Sequence, residues 1–207
     1  MPLLFHRPGK GLQLKHGANA GRLMFVGHKE KYGPSGTALW ISNDGGGSWA
    51  VQHHWPYMNE AQLAEVKIQP RSTAHDGMGS SAGGAGAGAG GGKSLSTIIK
   101  DGDEEGTVIV LLRNNDTCAC LATSTSTDGG NTWSPIKYNP KLTNPTAQAD
   151  IVAGSDGTTL YVSTPYSANH SLQGHNNLTI LSSTDVGDTW SDALWLVGPD
   201  VRRKPFR

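Results

Sequence analysis

The sequence predicts an all-β propeller, seen only in part, on three observations. The first is a repeat. "SNDGGGSW" (42–49), "STDGGNTW" (126–133) and "STDVGDTW" (183–190) share the pattern Ser-x-Asp-x-Gly-x-Ser/Thr-Trp, which chance does not produce three times in 207 residues. The second is what precedes each copy. "TALWIS" (37–42), "CACLATSTS" (118–126) and "NLTILSS" (177–183) are short, β-branched and bounded by glycine, so they read as strands. The third is spacing. Asp128 and Asp185 lie 57 residues apart; Asp44 and Asp128 lie 84 apart, but thirty of those form the stretch 71–100, and without it the interval is 54. Units of somewhat over about 50 residues with several short strands suit propeller blades.

Each box has the chemistry of a turn between two strands. Asp44, Asp128 and Asp185 can accept hydrogen bonds from following backbone amides, and Ser48, Thr132 and Thr189 can add hydroxyl bonds. Gly46, Gly130 and Gly187 supply positions where positive φ costs little. Trp49, Trp133 and Trp190 then open the next segment with a large face to bury. The three aspartates are therefore expected to stabilise hairpins, not to catalyse.

Between the first two boxes, "GGAGAGAGGG" (83–92) has no large side chain and cannot build a core, so 71–100 is expected to be a flexible, dispensable insert. "GGGKS" (90–94) mimics a phosphate-binding loop but lacks its strand–helix context. Cys118 and Cys120 form a C-x-C. Residues two apart on a strand share a face, where a bond between them would be strained, and no second pair completes a zinc site; two buried or free thiols are expected. Asn115, Asn169 and Asn177 head N-x-S/T triplets, glycan acceptors only in a secretory protein.

Formal net charge is zero and the sequence pI is near 7.1. No broad electrostatic attraction to nucleic acid or an anionic membrane follows. No run approaches the ~18 apolar residues of a membrane span. "MPLLFHRPGKG" (1–11) is too short in apolar length for a secretory signal, so a secreted or lysosomal protein would have its signal outside this sequence.

Around the boxes, further segments come in a distinctive order: "RPGKGLQLKHGANAGRLMFVGHKEK" (7–31), "MNEAQLAEV" (58–66), "VLLRNN" (110–115) and "HNNLTILSSTD" (175–185). In that order the chain resembles the exo-α-sialidases, most closely their lysosomal-type animal and bacterial branch, over about residues 7–199. "NEAQ" matches the family's D/N-E-x-Q motif, and "RNNDTCAC" (113–120) resembles its arginine strand. The resemblance implies a partial six-bladed β-propeller of the sialidase type over 1–199, with 200–207 a basic tail that departs from the pattern. It implies removal of terminal sialic acid from glycoproteins, oligosaccharides or gangliosides without a cofactor, in a lysosomal or secreted setting.

In that family three arginines grip the sugar's carboxylate, a task that suits the planar guanidinium fork. A tyrosine is the nucleophile, a recognised exception to the two-carboxylate rule. Its free pKa near 10 requires a glutamate to take the proton. By resemblance Glu60 is that glutamate and Arg113 one of the arginines, and the two should converge on one mouth from neighbouring strands. His175 stands where the family has its next arginine, and lacks the fork. After "LWLVGP" (194–199) the sequence runs into "DVRRKPFR" instead of the tyrosine segment. Tyr57, Tyr138, Tyr161 and Tyr166 lie in other segments, and the first arginine and the acid aspartate have no counterpart. The expectation is thus the middle of a sialidase with little turnover of its own. The alternatives are a catalytically dead, sialidase-like carbohydrate- or protein-binding propeller, and a non-glycan interaction domain built on the same boxes.

Overall fold

A computed structural model of the chain describes residues 4–5, 10–29, 36–67, 106–114, 118–166, 177–191 and 194–196. The insert 71–100, His175, Asn115, Asn169 and the tail 200–207 lie outside the described residues.

The apolar run "TVIVLL" explains the architecture best. It sits in strand β7 (Gly106–Asn114), where Thr107 to Leu112 are all buried. A strand buried on both faces must lie in a sheet covered on both sides. Strands β1 (Leu4–Phe5), β2 (Leu12–Gln13), β3 (Leu23–Lys29), β4 (Gly36–Ser42) and β5 (Ala50–Pro56) form the first sheet; β1 and β2 share one edge of β3 as an interrupted inner strand. The middle sheet runs β6 (Met58–Lys67), β7, β8 (Cys120–Ser126), β9 (Lys137–Thr143). The third runs β10 (Asp150–Ala153), β11 (Leu160–Pro165), β12 (Leu178–Ser183), β13 (Leu194–Trp195). All pairings are antiparallel. This is the expected partial propeller, with three blades in sequence among the described residues. Among the described residues no helix is long and apolar enough to cross a membrane.

Among the described residues, two cores lie between the blades. Alternation along β7 sends Val108, Val110 and Leu112 to meet Met24, Val26, Leu39 and Trp55 of the first blade. Ile109 and Leu111 point the other way, to Ile151, Leu160, Val162 and Leu181 of the third.

Every box occupies the turn from the third to the fourth strand of its blade. The aspartate is the hub. In the second box, Asp128 accepts from Ser126 Oγ at 2.7 Å, Thr132 N at 2.9 Å and Thr132 Oγ1 at 2.6 Å. Gly130 N donates back to Ser126 Oγ at 2.8 Å, and Trp133 Nε1 donates to the Gly130 carbonyl at 3.1 Å. Asp44 and Asp185 repeat the knot with Ser42 and Ser48, and with Ser183 and Thr189. The Ser48 hydroxyl and amide and the Ser42 hydroxyl hold Asp44 well below the usual carboxylate range. Burial pushes Asp128 up, but the Thr132 hydroxyl and amide and the Ser126 hydroxyl outweigh it and bring it down to about 2. A fourth knot went unread in the sequence. In "GSDGTT" (154–159), Asp156 accepts from the Thr158 and Thr159 amides and the Thr159 hydroxyl, closing the β10–β11 hairpin.

The boxes also fasten blade to blade. A Cβ on Gly130 would stand 2.5 Å from Met24 Cε in the first blade, and one on Gly187 2.8 Å from Ile109 Cδ1 in the second. Arg22, buried, donates to the Gly129 carbonyl at 2.7 Å, to Asn131 Oδ1 at 2.9 Å and to Asn43 Oδ1 at 2.8 Å, tying the first two boxes together. Lys137 reaches the third box through Asp188, at 3.0 Å to its carbonyl and 3.1 Å to its carboxylate.

One expectation is corrected. Cys118 and Cys120 are joined by a disulfide, not present as two thiols. The strand argument fails because β8 begins only at Cys120. Ala119 at φ 45° turns the chain before it, with 5.2 Å between the two Cα atoms.

Two outcomes follow from the boxes. Gly130→Ala meets Met24 and also sits at φ 91°, whereas Gly46→Ala at φ 97° finds its nearest neighbour at 3.8 Å. Chemical denaturation should show Gly130→Ala less stable than Gly46→Ala by about 1–3 kcal/mol, the cost of overpacking. Equal losses would mean that the box does not latch the blades. The folded pKa of Asp128 lies below its unfolded value of about 3.9. Its contribution is therefore complete above that unfolded value and is lost as pH falls through about 2. The melting-temperature gap between wild type and Asp128→Asn should narrow from pH 5 toward pH 2; a constant gap contradicts the assignment.

Candidate active site

Glu60 lies near the start of β6, the inner strand of the middle blade, and Arg113 near the end of β7 beside it. Their meeting depends on a break in register. Met58 pairs with Asn114 and Ala61 with Leu112, so Asn59 and Glu60 together oppose the single residue Arg113. Such a bulge re-aims side chains that strict alternation would send to opposite faces. Here it brings Glu60 Oε2 to 2.5 Å from Arg113 Nη1, with the two side chains 12% and 21% exposed. The pair is close enough for a charge-assisted hydrogen bond and remains open to solvent on one side.

The surroundings fix the bulge from both directions. Thr37 Oγ1, buried on β4 of the first blade, donates to the Asn59 carbonyl. Asn114 Nδ2 donates to the Cys120 carbonyl and lies 3.4 Å from Cys118 Sγ, so the disulfide-closed turn braces the end of the arginine strand. Arg113 Nε and Asn59 Oδ1 are buried and carry no hydrogen bond among the described residues. Just upstream, Tyr57 turns the chain from β5 into β6 at φ 65° with its ring exposed. For an aromatic residue that backbone is strained, a feature that clusters at functional sites.

The structure thus brings Glu60 and Arg113 together. Tyr138 lies exposed on β9, Tyr161 on β11 faces away from the inter-blade core, and Tyr166 packs against that core. Thr37, Asn59 and Asn114 were not singled out from the sequence. Asn59 and Asn114 sit inside the two motifs that carried the reading, but Thr37 gave no signal because its role is a contact between blades. A cavity of about 500 Å³, lined in part by Lys15, His16, Glu65 and Lys67, lies at the other end of β6 and includes neither Glu60 nor Arg113. We take the pair as the candidate site, because there an acid and a fork-shaped cation meet in direct contact and stay partly open to solvent. Chemically, the pair offers a guanidinium that can hold an anionic group and a carboxylate that can accept a proton beside it.

Comparison with known proteins agrees with this architecture. A leech intramolecular trans-sialidase superposes with a TM-score of 0.55 at 23% identity, covering 93% of this chain and 24% of that one. The intramolecular trans-sialidase of Ruminococcus gnavus gives 0.56 at 20% identity, covering 84% and 29%. The NanB sialidase of Streptococcus pneumoniae gives 0.52 at 19% identity, covering 92% and 23%. The chain spans roughly a quarter of the length of these structures, and at such identities the likeness establishes the fold alone. No curated protein matches the sequence. The family model described as BNR repeat-like domain matches residues 3–200, and the chain belongs to that family.

Proposed function

We propose that this chain carries part of the site of an exo-α-sialidase, a glycoside hydrolase that removes terminal sialic acid from glycoproteins, oligosaccharides or gangliosides. The observation that supports it is the Glu60–Arg113 pair at the β6–β7 bulge, formed by the two motifs whose order resembles the sialidases. Sialic acid bears its carboxylate on the reacting carbon. Arg113 would hold that carboxylate, and Glu60 would draw the proton from an attacking phenol. A neutral phenol approaches an anionic sugar where a carboxylate would be repelled. The same arrangement also suits a binding propeller without turnover, because an arginine that holds a carboxylate needs no nucleophile beside it.

A lysosomal or secreted setting fits two features. The Cys118–Cys120 disulfide is of the kind that persists in oxidising compartments. The box carboxylate of Asp128, depressed to about 2, keeps its hydrogen bonds in an acidic one.

Titration of the 207-residue chain with sialyllactose, followed by ligand-observed NMR, tests the assignment. Arg113→Ala should weaken binding by about tenfold or more, the worth of a charged hydrogen bond, with Glu60→Gln less affected. Sialyllactose should outcompete its asialo counterpart. Equal binding of the neutral sugar would contradict the proposed role of Arg113. Release of a fluorogenic sialoside by the same chain should stay at background; turnover well above it, abolished by Glu60→Ala, would exclude the binding-only reading.

A further inference from the structure

Among the described residues, Tyr57 is the most exposed large apolar or aromatic side chain, at 74%, and its backbone lies at φ 65°. Folding of the turn does not call for an aromatic ring there. A bulky residue is strained in that region, and glycine or asparagine would carry the same turn with less strain. The equivalent junction one blade on, from β9 to β10, also uses a positive φ, 53° at Thr146. That junction is tied inward: buried Asn144 accepts from the Ala147 amide at 2.6 Å and donates to Thr164 Oγ1 at 2.8 Å. Thr146 itself is half-buried. A positive φ is thus common to both junctions, whereas the outward ring is peculiar to Tyr57.

The ring stands out because its neighbours are held in. On one side Pro56 pairs with Gly36, where a Cβ would collide with the Trp55 carbonyl. On the other, Met58 is buried and the Asn59 carbonyl accepts from Thr37 Oγ1. Tyr57 sits at the seam between the first and second blades, both described, and not on a face at either end of the stack. The first box lies at one end of β5, before Ala50; Tyr57 lies at the other, where β6 begins. Glu60 and Arg113 lie at that same end of β6. Three peptide steps of about 3.8 Å put the Tyr57 Cα within about 11 Å of the Glu60 Cα, a span that a disaccharide bridges.

We propose that Tyr57 is a specificity-determining residue, whose ring is the platform for the uncharged sugar to which the anionic sugar held at Glu60 and Arg113 is linked. This rests on the reading of the pair given above. A pyranose such as galactose is polar around its rim but presents several C–H groups on one face. Those groups pack against an aromatic ring as other apolar surface does. Tyrosine suits the task because it offers a large rigid face with little rotamer freedom to lose. Its hydroxyl can also exchange hydrogen bonds with the rim of the sugar. The ring carries no charge, so it adds affinity for the linked sugar without competing for the carboxylate.

Ligand-observed NMR titrations of the 207-residue chain with methyl α-sialoside and with sialyllactose separate the two contacts. The wild type should bind sialyllactose about fivefold or more tighter than the single sugar, the worth of an aromatic contact. In Tyr57→Asn that ratio should fall to about one. The same variant should melt no lower than the wild type, because asparagine tolerates the positive φ. Tyr57→Phe should keep most of the ratio, since the ring remains. A ring with a purely structural role would instead lower the melting temperature of Tyr57→Asn and leave the ratio unchanged. That result overturns the proposal, as does a ratio lost equally in Tyr57→Phe or a loss of affinity shared evenly by both ligands. Each of these spares the role of Arg113; binding of neither ligand by the wild type overturns both readings.

Discussion

The hydrogen-bond knot of the box turn is the constraint on which the rest of this structure depends. A carboxylate that accepts from an amide and two hydroxyls fixes the path from third to fourth strand in each blade. That path places a glycine where only a missing Cβ lets the preceding blade approach, as Gly130 does for Met24 and Gly187 for Ile109. The turn is thus a local device with a long-range consequence: it sets hairpin geometry and the spacing between sheets together. Arg22 reinforces the result by joining two boxes through one buried guanidinium, which burial drives toward a lower pKa and Asp128 partly restores.

The candidate site uses the rigidity of that stack. Glu60 and Arg113 are on adjacent strands of the middle blade, the one held from both sides by apolar cores. An ion pair on a loop would wander and contribute little. Here the bulge, the Thr37 bond to Asn59 and the Asn114 bond to Cys120 hold both ends of the pair. A site that must present a cation and a base within a few tenths of an ångström of working geometry requires this kind of support.

Hydrophobic burial also accounts for the asymmetry between blades. The middle blade reads as a continuous apolar run because both its faces are covered. The third blade alternates along β11 and β12, whereas β4 of the first is buried along nearly its whole length. Trp49, Trp133 and Trp190 have the same position in the same motif, but Trp49 remains 41% exposed while the other two pack on cores. Local sequence sets the turn; the neighbour decides burial.

Much of the fold was legible in the sequence because its main signal is local. Asp, Gly, Ser or Thr and Trp at fixed offsets specify a turn from chemistry within eight residues, and alternation on either side specifies strands. The two motifs holding Glu60 and Arg113 were legible as well, though 53 residues of separation hide their contact. The Asp156 turn was missed because it lacks the leading serine and the tryptophan. Tertiary structure alone decided the register break that puts Glu60 against Arg113, since a bulge depends on the partner strand and leaves no periodic mark. It alone revealed the Cys118–Cys120 bond, because whether residues two apart can meet depends on where the strand begins and on Ala119 at φ 45°. It alone gave Thr37 and Arg22 their partners, which come from neighbouring blades and are therefore invisible to any window of sequence.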